Sequence, residues 1–156
     1  MLRAAACLGM VLLGSAAARA QTPPAATEPP VSGRTFCEQN VIFHLADRTT
    51  VPDRFRRFLG VWSDAAWDAR TCAALIVEDV KPDGTASIVY VYGPLGASST
   101  VRGGTLTGTG VVRDGELRFQ NSDGTLFGFK PGIVDLAGRL TTPKGQTFTA
   151  TFKQTP

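Results

Sequence analysis

The sequence predicts an all-β fold, an eight-stranded antiparallel up-and-down barrel with a short helix preceding the first strand. Three observations predict it. Asp83-Gly84, Asp114-Gly115 and Asp123-Gly124 recur through the second half of the chain, and Asp-Gly marks hairpins because tight turns need residues that tolerate positive φ. The segments between these breaks alternate apolar and polar side chains, the period of a strand with one buried face. Gly60-Val61-Trp62 opens this run directly after a segment of helical period.

Taken in order, residues 1–20 read as a signal peptide. Arg3 gives a positive start, Leu8, Met10, Val11, Leu12 and Leu13 a short apolar centre, and Ala18-Arg19-Ala20 a small-x-small cleavage site. The apolar run is shorter than the roughly 20 residues a bilayer core requires, and no later stretch is long enough to span. Without Arg3 and Arg19 the chain keeps 14 basic against 13 acidic residues. That near-neutral balance gives no electrostatic case for nucleic acid, which needs a concentrated basic face.

Residues 21–33, with four prolines and almost no bulky apolar side chain, read as a disordered Pro-rich linker. A single barrel domain over residues 34–155 follows. Its first part is ambiguous: Val41, Phe43 and Leu45 alternate like a strand, while Val41, Ile42 and Leu45 also suit a helix face. Between Pro52 and Leu59, Phe55, Phe58 and Leu59 fall at i, i+3 and i+4, Pro52 suits a first turn and Gly60 a stop. The strands then fall at about 60–64, 73–81, 85–93, 104–113, 116–121, 125–130, 133–142 and 146–154. Leu117 and Phe119 oppose Glu116, Arg118 and Gln120. Phe148, Ala150 and Phe152 oppose Thr147, Thr149, Thr151 and Lys153, and Val134, Leu136 and Leu140 oppose Asp135, Arg139 and Thr141.

An antiparallel sheet with one apolar face per strand must cover itself, and closure into a barrel also removes exposed edges. A flattened sandwich is the alternative. Gly103, Gly104, Gly108, Gly110, Gly128 and Gly138 suit the bends a small barrel needs. Cys37 and Cys72 are an even pair in an exported chain, so a disulfide is expected, tying the N-terminal segment to the barrel. Closing that loop contributes roughly 3.8 kcal/mol in the chain-entropy model.

Gly60-x-Trp62, the short helix before it and the meandering strands after it resemble the calycins, the superfamily of lipocalins and avidins. The resemblance implies that Trp62 packs across the closed end with Phe55 and Phe58, and that a late basic residue, here Lys153, covers the plug. The lipocalins' second motif, Thr-Asp-Tyr, is absent, and the phase of Lys153 opposes that of Phe152. Leu75-Ile76-Val77-Glu78, Asp83-Gly84, Val89-Tyr90-Val91-Tyr92-Gly93 and Gly115-Glu116-Leu117 are similar to a recurrent exported bacterial domain of unknown function, which implies a fold and no activity. Gly60-x-Trp62 with Cys72 ten residues later also resembles small exported protease-inhibitor barrels, but their second cysteine lies downstream rather than upstream, as Cys37 does.

The chemistry-bearing residues are sparse. His44 is the single histidine and no nucleophile elbow accompanies it. Asp64, Asp68, Glu78 and Asp79 would do glycosidic chemistry only as a pair about 5–9 Å apart, and they form no calcium-loop spacing. Tyr90 and Tyr92 share one face of a strand, and with Trp62 and Trp67 are the candidate ligand-binding residues. Arg54, Arg56 and Arg57 read as the solvated face of the helix. These features predict a periplasmic or secreted binding or interaction protein without catalytic activity, taking a small apolar ligand or an exported protein partner and no metal or cofactor. Two alternatives are an inhibitor of an exported enzyme, inserting the Pro-rich arm or a loop, and a small hydrolase, for which the acid–base inventory is thin.

Overall fold

Asp114 and Gly115 both lie at positive φ (53° and 73°), the two-residue turn that matches the twist of a right-handed hairpin. The turns at Asp83-Gly84, Asp123-Gly124 and Lys144-Gly145 are longer. In Lys81–Thr85, Asn121–Thr125 and Thr142–Gln146 the first residue donates its N–H to the fifth residue's carbonyl, and the fourth is a glycine that donates to the first. Gly84, Gly124 and Gly145 have φ of 81° to 89°, where a side chain is strained. Asp83 and Asp123 fix two of these turns by accepting the N–H of Thr85 and Thr125.

The structure, a computed structural model, describes residues 31–156. The expected signal peptide, and the expected linker up to residue 30, lie outside the described residues. Ten strands form: β1 (Val31–Phe36), β2 (Gln39–His44), β3 (Gly60–Ala66), β4 (Thr71–Val80), β5 (Thr85–Pro94), β6 (Gly104–Arg113), β7 (Glu116–Gln120), β8 (Leu126–Pro131), β9 (Asp135–Thr141) and β10 (Thr147–Thr155). β3 to β10 pair consecutively and β10 returns to β3, giving a closed eight-stranded antiparallel barrel. The short helix before it is a single 3₁₀ turn, Asp53–Phe55, shorter than the spacing of Phe55, Phe58 and Leu59 implies. Among the described residues no helix is long and apolar enough to cross a membrane.

Two corrections concern the ends of elements. Val31, Ser32 and Gly33, assigned by composition to the linker, form the start of β1, paired with His44, Phe43 and Ile42. The ambiguous segment after them is therefore a strand, β2. Val134, assigned by alternation to the inner face, is 77% exposed beside a fully exposed Ile133. The N–H of Gly132 bonds to the carbonyl of Asp135, so these two residues form the tip of a tight turn and escape the strand's period.

Two cores follow from this topology. The barrel interior holds, among others, Trp62, Leu75, Leu117, Phe127, Phe129, Leu136 and Phe152. A second core lies outside the wall, where Val41 and Phe43 of β2 cover Val61, Ala74, Ile76, Val89 and Val91. β4 and β5 are thus buried on both faces, which is why Ala73 to Val77 and Ile88 to Val91 are unbroken apolar runs. Burial of side chains such as Phe43 stabilises the chain by about 1.5–3 kcal/mol each.

The β1–β2 turn is Cys37-Glu38, with both residues at positive φ. Cys37 is disulfide-bonded to Cys72 at the head of β4, with Cα atoms 5.6 Å apart. The turn presses so closely on β5 that a Cβ at Gly93 would collide with the Cys37 carbonyl oxygen. The bond pins the outer hairpin over the second core, and a disulfide of this kind fits an oxidising compartment.

Candidate functional site

The two ends of the barrel are different environments. At the lower end Val51, Phe55, Phe58 and Leu59 are buried with Trp62 in the main core. Gly60, at φ 129°, lets the chain turn from this plug into β3, and Trp62 donates its indole N–H to the Phe58 carbonyl at 2.8 Å. The arginines here are fasteners rather than a merely solvated face. Arg54 donates to the Pro82 carbonyl and Arg57 to the Gly132 carbonyl, both at 2.6 Å, while Arg56 reaches the Val51 carbonyl. Segment 51–59 is in this way stapled across the rim.

Lys153 does not belong to the plug. It is exposed, in register with Ser63 and Asp135, and on the face opposite Phe152. Strand parity sends it outward; the residue opposite Trp62 is Gln154.

At the upper end a bulge in β3 between Trp62 and Ala65, with Asp64 at φ 54°, shifts the phase so that Ala65 and Trp67 both turn into the core. Trp67 stands edge-on to Phe152 at 5.5 Å and near Phe127 and Phe129. Phe119 stacks on Phe127 at 4.7 Å, and Tyr90 lies 4.7 Å from Phe127. These rings pack against one another in the middle of the barrel.

Above them a cavity of about 250 Å³ opens at the mouth. Trp67, Tyr90, Tyr92, Leu106, Phe127 and Leu140 give it apolar walls, and Asn121, Asp123, Thr125 and Thr142 a polar rim. Three of the four expected ligand residues therefore meet here. Trp62 does not, since it is sealed in the plug at the other end. Tyr92 stacks on Tyr90 with planes 21° apart, and its ring lies where a Cβ at Gly104 would be. Trp67 donates its indole N–H to the Tyr90 hydroxyl at 2.5 Å. Burial holds the Tyr90 phenol above its ordinary range, the Trp67 hydrogen bond opposes that and Tyr92 adds to it. Tyr90 is thus a neutral hydrogen-bond donor at neutral pH.

The remaining candidates fall at the two ends of β4. His44 is exposed at the end of β2, where its backbone N–H donates to the Glu78 carboxylate at 3.0 Å. Asp68 caps the β3–β4 turn by accepting the N–H groups of Arg70 and Thr71, which hold its carboxyl below the usual range. Asp68 and Glu78 lie at opposite ends of β4, on the order of 20 Å apart at a strand's rise per residue. That separation is too wide for this pair to do glycosidic chemistry. Among the described residues no group of three or more His, Cys, Asp or Glu is placed to hold a metal.

Sequence reasoning misses Leu106, Phe127 and Leu140 as mouth residues, because an inward apolar side chain on any strand carries no mark of its height in the barrel. It also misses Glu116, which is only 3% exposed. No protein-family model, curated protein or solved structure matches this chain.

Proposed function

We propose that this chain is an exported, non-catalytic binding module whose ligand is a small, largely apolar molecule held at the barrel mouth. One observation carries the reading: Trp67, Tyr90 and Tyr92 converge on an apolar-walled cavity at the barrel mouth. The cavity is smaller than the usual pocket range of about 300–1,000 Å³, which favours a one- or two-ring compound over a long acyl chain. Tyr90 accepts from Trp67, leaving its hydroxyl proton for an acceptor on the ligand. The separation of Asp68 from His44 and Glu78, at the two ends of β4, supports binding without turnover. The disulfide supports a periplasmic or extracellular location.

Native mass spectrometry of protein purified from its own envelope tests this. A copurifying mass lost from a Leu106→Trp variant, which fills the mouth, is the expected result. A bare protein that also fails to bind 2-naphthol in a tryptophan-fluorescence titration would overturn it. An exported enzyme recovered with the chain, and blocked by it, would instead favour the inhibitor reading.

A further inference from the structure

Among the described residues Glu116 is the one charged side chain in the buried set, and it lies on the outer wall of the barrel rather than inside. Its neighbour Leu117 is fully buried in the core, so strand parity points Glu116 and Arg118 outward. The registers place Val111, Arg118, Gly128, Arg139 and Thr149 in one row across five strands. Gly128 leaves a notch in that row between the two arginines. The Glu116 carboxylate lies in it, because a Cβ at Gly128 would sit 2.5 Å from Oε1.

That carboxylate holds both guanidinium groups. Oε2 accepts from Nε of Arg118 at 2.7 Å and from its Nη2, and Oε1 faces Nη2 of Arg139 at 3.4 Å. The side chains of Arg118 and Arg139 nevertheless remain 55% and 59% exposed. Concave depressions of about 550 and 600 Å³ flank the notch, sharing Glu116, Gly128 and Arg139, with Lys130 on the edge of the first. Burying an ion pair is a poor route to stability, since desolvation of the charges offsets their attraction. What one carboxylate between two arginines does achieve is to fix two planar donor forks in place with a net charge of about +1.

We infer that Arg118 and Arg139 form a preorganised receptor for an oxyanion, a carboxylate or a phosphate, with Glu116 as the positioning residue. The ligand sits on the solvent side of the notch, accepting the guanidinium N–H groups that Glu116 leaves free, with Lys130 adding charge. This wall is separate from the mouth cavity, so the failure of either reading leaves the other standing.

The test is a ¹⁵N-NMR titration of the folded protein at low ionic strength with inorganic phosphate and, separately, with acetate. The expected result is saturable shifts confined to the Arg118 and Arg139 guanidinium signals, with the Arg118 Nε–H that Glu116 holds shifting least, and the Gly128 amide. Whichever probe saturates at lower concentration identifies the oxyanion class. Arg139→Gln should weaken binding about tenfold, the loss of one charge-assisted hydrogen bond. Arg113 stands directly across from Glu116 but is not one of the arginines its carboxylate holds, so Arg113→Gln should weaken binding much less than Arg139→Gln. Glu116→Gln decides between positioning and mere charge. Removing a negative charge from a diffuse basic patch tightens anion binding, whereas unfixing two arginines weakens it. Tighter binding by Glu116→Gln, equal losses in Arg139→Gln and Arg113→Gln, or shifts that chloride reproduces would each overturn the proposal.

Discussion

The indole N–H of Trp67 donates to the hydroxyl of Tyr90 at 2.5 Å, although the two residues are 23 positions apart and both are buried. The bond joins the loop after β3 to the middle of β5 and sets the floor of the mouth. Tyr90→Phe keeps the ring and its stacking but orphans the indole donor. An unpaired buried donor costs about 1–3 kcal/mol. Urea unfolding should show that loss with an unchanged m-value, and the mouth should lose affinity for any ligand that accepts from the Tyr90 hydroxyl.

Tyr90 also sets an alkaline limit. Its phenol is raised in the folded state, chiefly by burial, so folding favours the protonated form. The unfolded phenol ionises near pH 10. The stabilisation is therefore fully present below about pH 10 and is lost as the pH rises above that value. Stability measured from pH 8 to 11 should fall more steeply in the wild type than in Tyr90→Phe. Parallel slopes would show that Tyr90 is not the group responsible.

Glycine is used here more for room than for turning. A Cβ at Gly138 would lie 2.6 Å from Phe152 and 3.0 Å from the Trp67 ring, whereas at Gly108 it would meet nothing within 4 Å. Neither glycine has positive φ. Gly138→Ala should destabilise by about 1–3 kcal/mol through overpacking of the aromatic stack. Gly108→Ala should be neutral or stabilising by up to about 1 kcal/mol, because a glycine in a strand loses more backbone entropy on folding. Thermal unfolding of the pair separates the two effects, and equal shifts would refute the packing argument.

The eight barrel strands are legible because each keeps one apolar face and most breaks carry a glycine that needs positive φ, as at Gly84, Gly115, Gly124 and Gly145. The β1–β2 hairpin is not, because its turn is Cys37-Glu38, residues that carry no turn signal of their own. A trace of it does lie in β4 and β5: apolar runs from Ala73 to Val77 and Ile88 to Val91 imply cover on both faces. At the mouth, Tyr90 and Tyr92 are legible from parity. Trp62 and Trp67 are five residues apart and share the interior only because the bulge at Ser63-Asp64 resets the phase, so sequence does not assign them to opposite ends. Lys153 follows plain parity and faces out, so it is no part of the plug that Phe55, Phe58 and Trp62 form. Glu116 follows parity too; its burial depends on the gap at Gly128 on the neighbouring strand.

The outer hairpin has two separate attachments, and they predict different failures. Cys37–Cys72 constrains the unfolded chain, so replacing both cysteines by serine should cost roughly 3.8 kcal/mol in the chain-entropy model. Val41 and Phe43 grip Ile76, Val89 and Val91 with or without that bond. Phe43→Ala should cost about 3–5 kcal/mol by leaving a cavity between hairpin and wall. Hydrogen exchange tells them apart. In the double serine variant β1 and β2 amides should lose protection while β7 to β9, which the hairpin does not cover, keep theirs. In Phe43→Ala the outer edges of β4 and β5 should also begin to exchange, because water then reaches the second core. If the double serine variant loses protection evenly around the barrel, the disulfide supports the whole fold rather than the hairpin alone.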